Sequence, residues 1–195
     1  MKPECFPPII AEQCPQIPYY PITVVYGKDV HALHSGAQTL DASCINFYDE
    51  GPPPLFLDSM LRQLKNQPRA FRTVERLFFA LANEDIGGNI NPARKFRITA
   101  KHAIVVWGKE SYTLDQLPAS HQMLLFLLIR WHPTPCIVCV GPERMVLPNT
   151  STVSEYLQIL KDEYKKPIIL FTKSNVFVQT LIKTIPALCQ FYHME

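Results

Sequence analysis

From residue 94 onward, short β-rich apolar runs alternate with segments of helical period, and this alternation constrains the fold more than any other feature of the chain. The runs at 96–99, 103–107, 136–140 and 168–171 read as strands, and 120–131, 153–164 and 176–188 read as helices. Strands alternating with helices are the pattern of βαβ units. The central strands of such sheets, covered on both faces, appear as continuous apolar runs like Cys136-Ile137-Val138-Cys139-Val140. Crossovers between parallel strands are right-handed, so the expected fold is α/β and Rossmann-like, with a mainly parallel sheet and helices on both faces. In that arrangement 103–107, 136–140 and 168–171 are adjacent parallel strands.

The first half is less regular. Six of the 18 prolines fall within residues 1–21, which forbids helix there and predicts an extended proline-rich arm. Two short strands follow, at 22–26 and 44–48, separated by a polar loop containing Gly27 and Gly36. Leu57, Met60, Leu61 and Leu64 then recur at helical spacing, Pro68 is placed to open a second helix, and Phe71, Val74, Leu77, Phe78 and Leu81 continue the rhythm. This pair reads as a helical insertion, closed by a loop at 83–92. The domain reading is an arm at 1–21 and a single α/β domain at 22–195, with 22–92 and 93–195 as its halves if it is divided. The run Val24-Val25-Tyr26-Gly27-Lys28-Asp29 recurs as Val105-Val106-Trp107-Gly108-Lys109-Glu110, which raises duplication as one origin of those halves. The stretch 98–132 also permits a β-hairpin turning at Gly108-Lys109-Glu110-Ser111 and an apolar helix after it, in the manner of winged-helix domains. Against a DNA-reading version, 153–164 carries Glu155, Asp162 and Glu163 beside Lys161, a poor match to phosphate.

Composition narrows the function classes. The chain is 47% hydrophobic and 18% charged, against roughly 25% charged in typical soluble domains. A surface so short of charge is expected to be covered in part by a protein partner. The net charge of +2 does not by itself call for nucleic acid or an anionic membrane. The start of the sequence lacks the apolar core of a secretory signal, and no apolar run approaches the roughly 20 residues that cross a bilayer. An intracellular, cytoplasmic chain is expected, with its six cysteines reduced.

Neither a G-x-G-x-x-G nor a G-x-x-x-x-G-K-[ST] motif is present, so dinucleotide and P-loop binding have no sequence support. No G-x-S-x-G elbow accompanies Ser35, and the six histidines are scattered. Cys136 and Cys139 would point to opposite faces of a strand and cannot converge on zinc. No catalytic residue, cofactor or metal site is assigned.

Two groups of polar residues remain. Under a parallel-sheet reading the strand ends would present Lys28, Asp29, Asp49, Glu50, Lys109, Glu110, Glu143, Arg144, Lys173, Ser174 and Asn175 where open sheets hold ligands, although glycine and charge also end strands that bind nothing. The second group is a stripe, Arg62, Lys65, Arg69, Arg72 and Arg76, spaced to share one helical face opposite the apolar one. Residues 61–101 hold nine Lys/Arg against three Asp/Glu, while the rest of the chain holds ten against 14. The expected role is a non-enzymatic adaptor or accessory subunit of a complex, binding an acidic protein partner through this stripe. Its rivals are a small-molecule or nucleotide-phosphate binder or transferase using the strand-end loops, and a nucleic-acid binder using the basic face. The last lacks exposed aromatic rings for base stacking, because Phe71 and Phe78 fall on the apolar side.

Overall fold

The computed structural model describes residues 21–41, 44–49, 56–82, 94–145, 148 and 153–194. The chain gathers into two compact units, one drawn from Met1–Pro52, Thr134–Met145 and Thr152–Glu195, the other from Pro53–Pro133 and Val146–Ser151. The second unit is drawn from two stretches inserted in the sequence of the first. The proline-rich arm up to residue 20, the loop at 83–92 and Glu50 lie outside the described residues.

In chain order the elements are β1 (Ile22–Tyr26), α1 (Val30–Leu40), β2 (Ile45–Asn46), α2 (Leu57–Leu64), α3 (Pro68–Leu81), β3 (Arg94–Ile98), β4 (Ala103–Trp107), β5 (Glu110–Thr113), α4 (Ala119–Trp131), β6 (Ile137–Val140), α5 (Val153–Tyr164), β7 (Ile168–Thr172), α6 (Asn175–Thr184) and β8 (Cys189–His193). The first unit is α/β, with a five-stranded sheet in the order β2-β6-β7-β1-β8. Every neighbouring pair in it is parallel, in keeping with the Rossmann-like class.

The apolar runs dictate this arrangement. Each residue of β6 and β7 is buried, as expected of strands covered on both faces. On one face Val25, Val138, Val140, Ile169 and Phe171 pack against Leu33 and Ala37 of α1. The connection from β1 to β2 runs across the sheet in one direction, and those from β6 to β7 and β7 to β8 run in the other. Right-handed crossovers therefore set α1 on one face and α5 and α6 on the opposite one. Ser154 of α5 and Thr184 of α6 share a hydroxyl hydrogen bond of 2.8 Å, as neighbours on one face must. Cys136 joins the α1-side cluster, and strand alternation turns Cys139 to the other face. There burial raises the Cys139 thiol pKa far above its ordinary value. No helix among the described residues is long and apolar enough to cross a membrane.

The second unit departs from the sequence expectation. β4 is not a neighbour of β6 and β7; it is the middle of a separate antiparallel sheet, β3-β4-β5. The hairpin alternative is the one realised, with Gly108 at φ 67° in the turn. Gly27, in the matching position of the other run, is there for a different reason: a Cβ would lie 2.7 Å from the Met194 carbonyl oxygen. The two similar runs thus occupy a parallel strand and an antiparallel one, and the structure lends no support to duplication.

Two further corrections concern the first unit. The expected polar loop after β1 is helix α1, because Asp29 caps it and Val30, Leu33 and Ala37 form an apolar stripe. Gly36 sits inside that helix, where a Cβ would come within 3.3 Å of the Phe171 ring. The last expected helix stops at Thr184, since Pro186 cannot continue it. The chain then adds edge strand β8, pairing with β1 along its whole length.

Candidate functional site

In an open parallel sheet, the crevice forms at the carboxyl ends of two neighbouring strands whose connections leave to opposite faces. Here those strands are β1, feeding α1, and β7, feeding α6. The edge is stitched by backbone hydrogen bonds beyond the strand ends: Gly27 N–H to Thr172 O at 3.1 Å, Gly141 N–H to Phe171 O at 2.7 Å, and Met194 N–H to Tyr26 O at 2.8 Å.

At this edge a compact polar cluster has Tyr48 at its centre. The Tyr48 hydroxyl donates to the Glu143 carboxylate at 2.5 Å and accepts the Lys173 backbone N–H at 2.7 Å. Glu143 takes a second hydrogen bond, 2.8 Å, from the fully buried Thr172 hydroxyl. That hydroxyl accepts the Ser174 N–H at 2.9 Å, and the Ser174 side chain caps α6 by accepting the Phe177 N–H at 3.1 Å. Two cations lie over the Tyr48 ring, the Lys173 ammonium at 4.9 Å and the Arg144 guanidinium at 5.3 Å from its centroid.

Of the strand-end residues, the structure brings Glu143, Arg144 and Lys173 together on Tyr48. Lys28 is exposed at the end of β1. Asp29 is a helix cap, its carboxylate accepting the N–H groups of His31 at 2.9 Å and Ala32 at 3.2 Å. Asp49 accepts the Asn46 side-chain amide at 2.6 Å and stands 3.9 Å from His34. Lys109 and Glu110 are not at this edge; they belong to the β4–β5 hairpin of the other unit.

Tyr48 was missed in the sequence because 44–48 reads as a strand, whereas β2 stops at Asn46 and the chain turns. The one available signal was Gly141: a Cβ there would meet the Tyr48 ring at 2.9 Å, so the glycine is the seat of that ring. Burial and the Glu143 hydrogen bond push the Tyr48 hydroxyl from 10.0 up to about 12. A pKa raised on folding stabilises fully below the unfolded value and loses that stabilisation as pH climbs towards the folded one. Stability should therefore fall between pH 10 and about 12, with Tyr156, also raised to about 12, contributing. Tyr48→Phe should cost about 1–2 kcal/mol at neutral pH, because Glu143 loses a donor and Lys173 N–H an acceptor. It should also shrink the alkaline loss; chemical denaturation at a series of pH values measures both.

The basic stripe lies in the second unit. Arg62, Lys65, Arg69, Arg72 and Arg76 are all exposed, while Ala70, Val74, Leu77, Phe78 and Leu81 of α3 are buried. Arg62 pairs with Asp58 at 2.8 Å, and Asp58 also accepts the Ala103 N–H at 2.6 Å. On α3, the spacing of Arg69, Arg72 and Arg76 puts them within one face. Beside them, Glu75 accepts the Phe96 N–H at 2.6 Å, which ties α3 to strand β3. Burial raises the Glu75 pKa, opposed by that hydrogen bond and by the charges of Lys95 and Arg72. The sequence reading omitted Lys95 and Arg97, which alternate with the buried Phe96 and are exposed. Their signal was present in the period of two along 94–98. Arg72, Thr73, Glu75, Arg76 and Phe79 line a cavity of about 270 Å³.

No set of three or more His, Cys, Asp or Glu side chains among the described residues is grouped to hold a metal ion. Compared with known proteins, the chain matches no protein family, no curated protein and no solved structure.

Proposed function

We propose that the protein is a non-enzymatic accessory subunit that binds an acidic protein partner through the exposed cations of α3 and β3. The observation that carries this reading is the density of exposed charge of one sign: Arg69, Arg72 and Arg76 on the helix, with the exposed Lys95 on the strand beside it, whose charge reaches Glu75. Glu75 is already committed to the Phe96 N–H. Such a surface attracts an oppositely charged partner and speeds its encounter. The rings beside it, Phe71, Phe78, Phe79 and Phe96, stack on one another inside the unit, which leaves little for splayed bases to stack on and favours protein over nucleic acid.

The sheet edge supports the same reading. Its convergent polar groups satisfy one another, Glu143 through Tyr48 and Thr172 and Tyr48 through Lys173. Tyr48 fills the space above Gly141, and Met194 closes over Gly27.

The test is binding of a fluorescent glutamate-rich peptide, with single- and double-stranded nucleic acid as competing probes. The peptide should bind, weaken as salt rises above about 0.15 M, and lose at least about tenfold in affinity in Arg69→Glu/Arg72→Glu. These positions are exposed, so the melting temperature should not change. Tighter binding of nucleic acid that is lost in the same variant would transfer the face to a nucleic-acid partner. Unchanged peptide affinity in the variant would refute the assignment.

A further inference from the structure

We propose that the cavity between the β4–β5 hairpin and the start of α4 is a binding site for an organic cation, an alkylated ammonium group. The cavity has a volume of about 410 Å³ and is lined by Trp107, Glu110, Tyr112, Leu117, Pro118 and His121 among others, a size in the range of small-ligand sites. It is independent of the basic face of α3.

The hairpin register builds the site. Trp107 stands opposite Glu110 and Val105 opposite Tyr112. Strand alternation therefore turns the indole, the carboxylate and the phenol to one face of the sheet. The Tyr112 hydroxyl donates to the Glu110 carboxylate, which orients it. Trp107 is held in place by Phe79, with centroids 5.5 Å apart, and by His121 at 5.8 Å. His121 is itself fixed by a hydrogen bond to the Ala82 backbone, and burial lowers its pKa, so the imidazole is neutral at neutral pH. The lining thus presents aromatic faces, apolar surface and one negative charge, with no cation among its residues.

That chemistry selects a ligand class. Aromatic faces carry negative potential, and a cation within about 6 Å of a ring is attracted to it. Trp107 already accepts one such contact in the fold, from the Arg94 guanidinium 5.8 Å from its ring centroid. Glu110 repels anions, and a neutral apolar ligand gains nothing from its charge. An ammonium clothed in methyl groups suits both walls: its alkyl surface meets Trp107, Leu117 and Pro118, and its charge meets Glu110. Two sources share this chemistry, a free quaternary amine and a methylated lysine side chain of a partner.

Choline and its neutral isostere 3,3-dimethylbutan-1-ol, titrated into the whole chain, separate charge from shape, with the Trp107 indole N–H signal in NMR as the readout. Choline should shift this signal saturably at millimolar concentration, and the alcohol should bind at least about tenfold more weakly. Glu110→Gln, at an exposed position, should weaken choline about fivefold with an unchanged melting temperature. A peptide carrying trimethyllysine that binds at least about tenfold more tightly than choline would identify a partner's side chain as the source; equal affinity would identify the free amine. Equal binding of choline and the alcohol, an unchanged choline affinity in Glu110→Gln, or no saturable shift up to about 0.1 M would overturn the proposal.

Discussion

Val138→Asp is expected to abolish cooperative folding of the parallel-sheet unit. Val138 is 1% exposed, on the face of β6 that packs with Val25, Ile169 and Phe171 beneath α1. A carboxylate there has no partner, and burying it costs several kcal/mol. A domain of this size has about 5–15 kcal/mol of stability to lose. Both tryptophans, Trp107 and Trp131, belong to the inserted unit, so tryptophan fluorescence reports on the wrong unit. Far-UV circular dichroism through a thermal melt is the appropriate measurement, and a variant melting like the parent would show that β6 is not core.

A second large effect is expected at Gly141. Its φ of 71° lies in the left-handed region, where a side chain costs about 1–2 kcal/mol. An added Cβ would also press on the Tyr48 ring, at 2.9 to 3.2 Å from three of its carbons. Gly141→Ala should therefore lower stability by about 2–4 kcal/mol, as backbone strain and displacement of the ring combine. The double variant with Tyr48→Ala distinguishes the two causes. With the ring gone only the strain remains, so the pair should fall short of additivity by at least about 1 kcal/mol. Additive losses in urea denaturation would mean that the tyrosine does not rest on the glycine.

These two sites differ in how far the sequence revealed them. β6 and β7 were legible because burial on both faces writes an uninterrupted apolar run. The same reasoning misplaced β4, since Ala103-Ile104-Val105-Val106-Trp107 is equally apolar yet pairs antiparallel with β3 and β5. What distinguished them was the short connection: two residues, Gly108 and Lys109, separate β4 from β5, and only antiparallel strands can be joined so tightly. Helix α1 was hidden because Gly36 and Ser35 look like loop residues, although Asp29 stood where a cap belongs. The Tyr48 cluster was only half visible. Glu143, Arg144 and Lys173 could be named from strand ends, but the residue that joins them comes from a turn after β2, and nothing local in the sequence records a contact across 95 positions. Of the five-residue stripe expected on one helical face, Arg69, Arg72 and Arg76 lie on α3, while Arg62 is on α2 and Lys65 at its end, because the helix breaks before Pro68; Lys95 comes beside α3 through the long-range hydrogen bond from Phe96 to Glu75.

The strand order carries a consequence for biosynthesis. β1, the first strand among the described residues, has as its two neighbours β7 and β8, the last two of them. As the chain leaves the ribosome, residues 22–26 must wait for residues 168–193 before their backbone groups find partners. The inserted unit, complete in the sequence well before then, can settle first. For much of translation the apolar strand Ile22–Tyr26 is a bare edge, the kind of surface on which nascent chains aggregate and which chaperones cover. A ribosome stalled before residue 168 would present that edge with neither neighbour made.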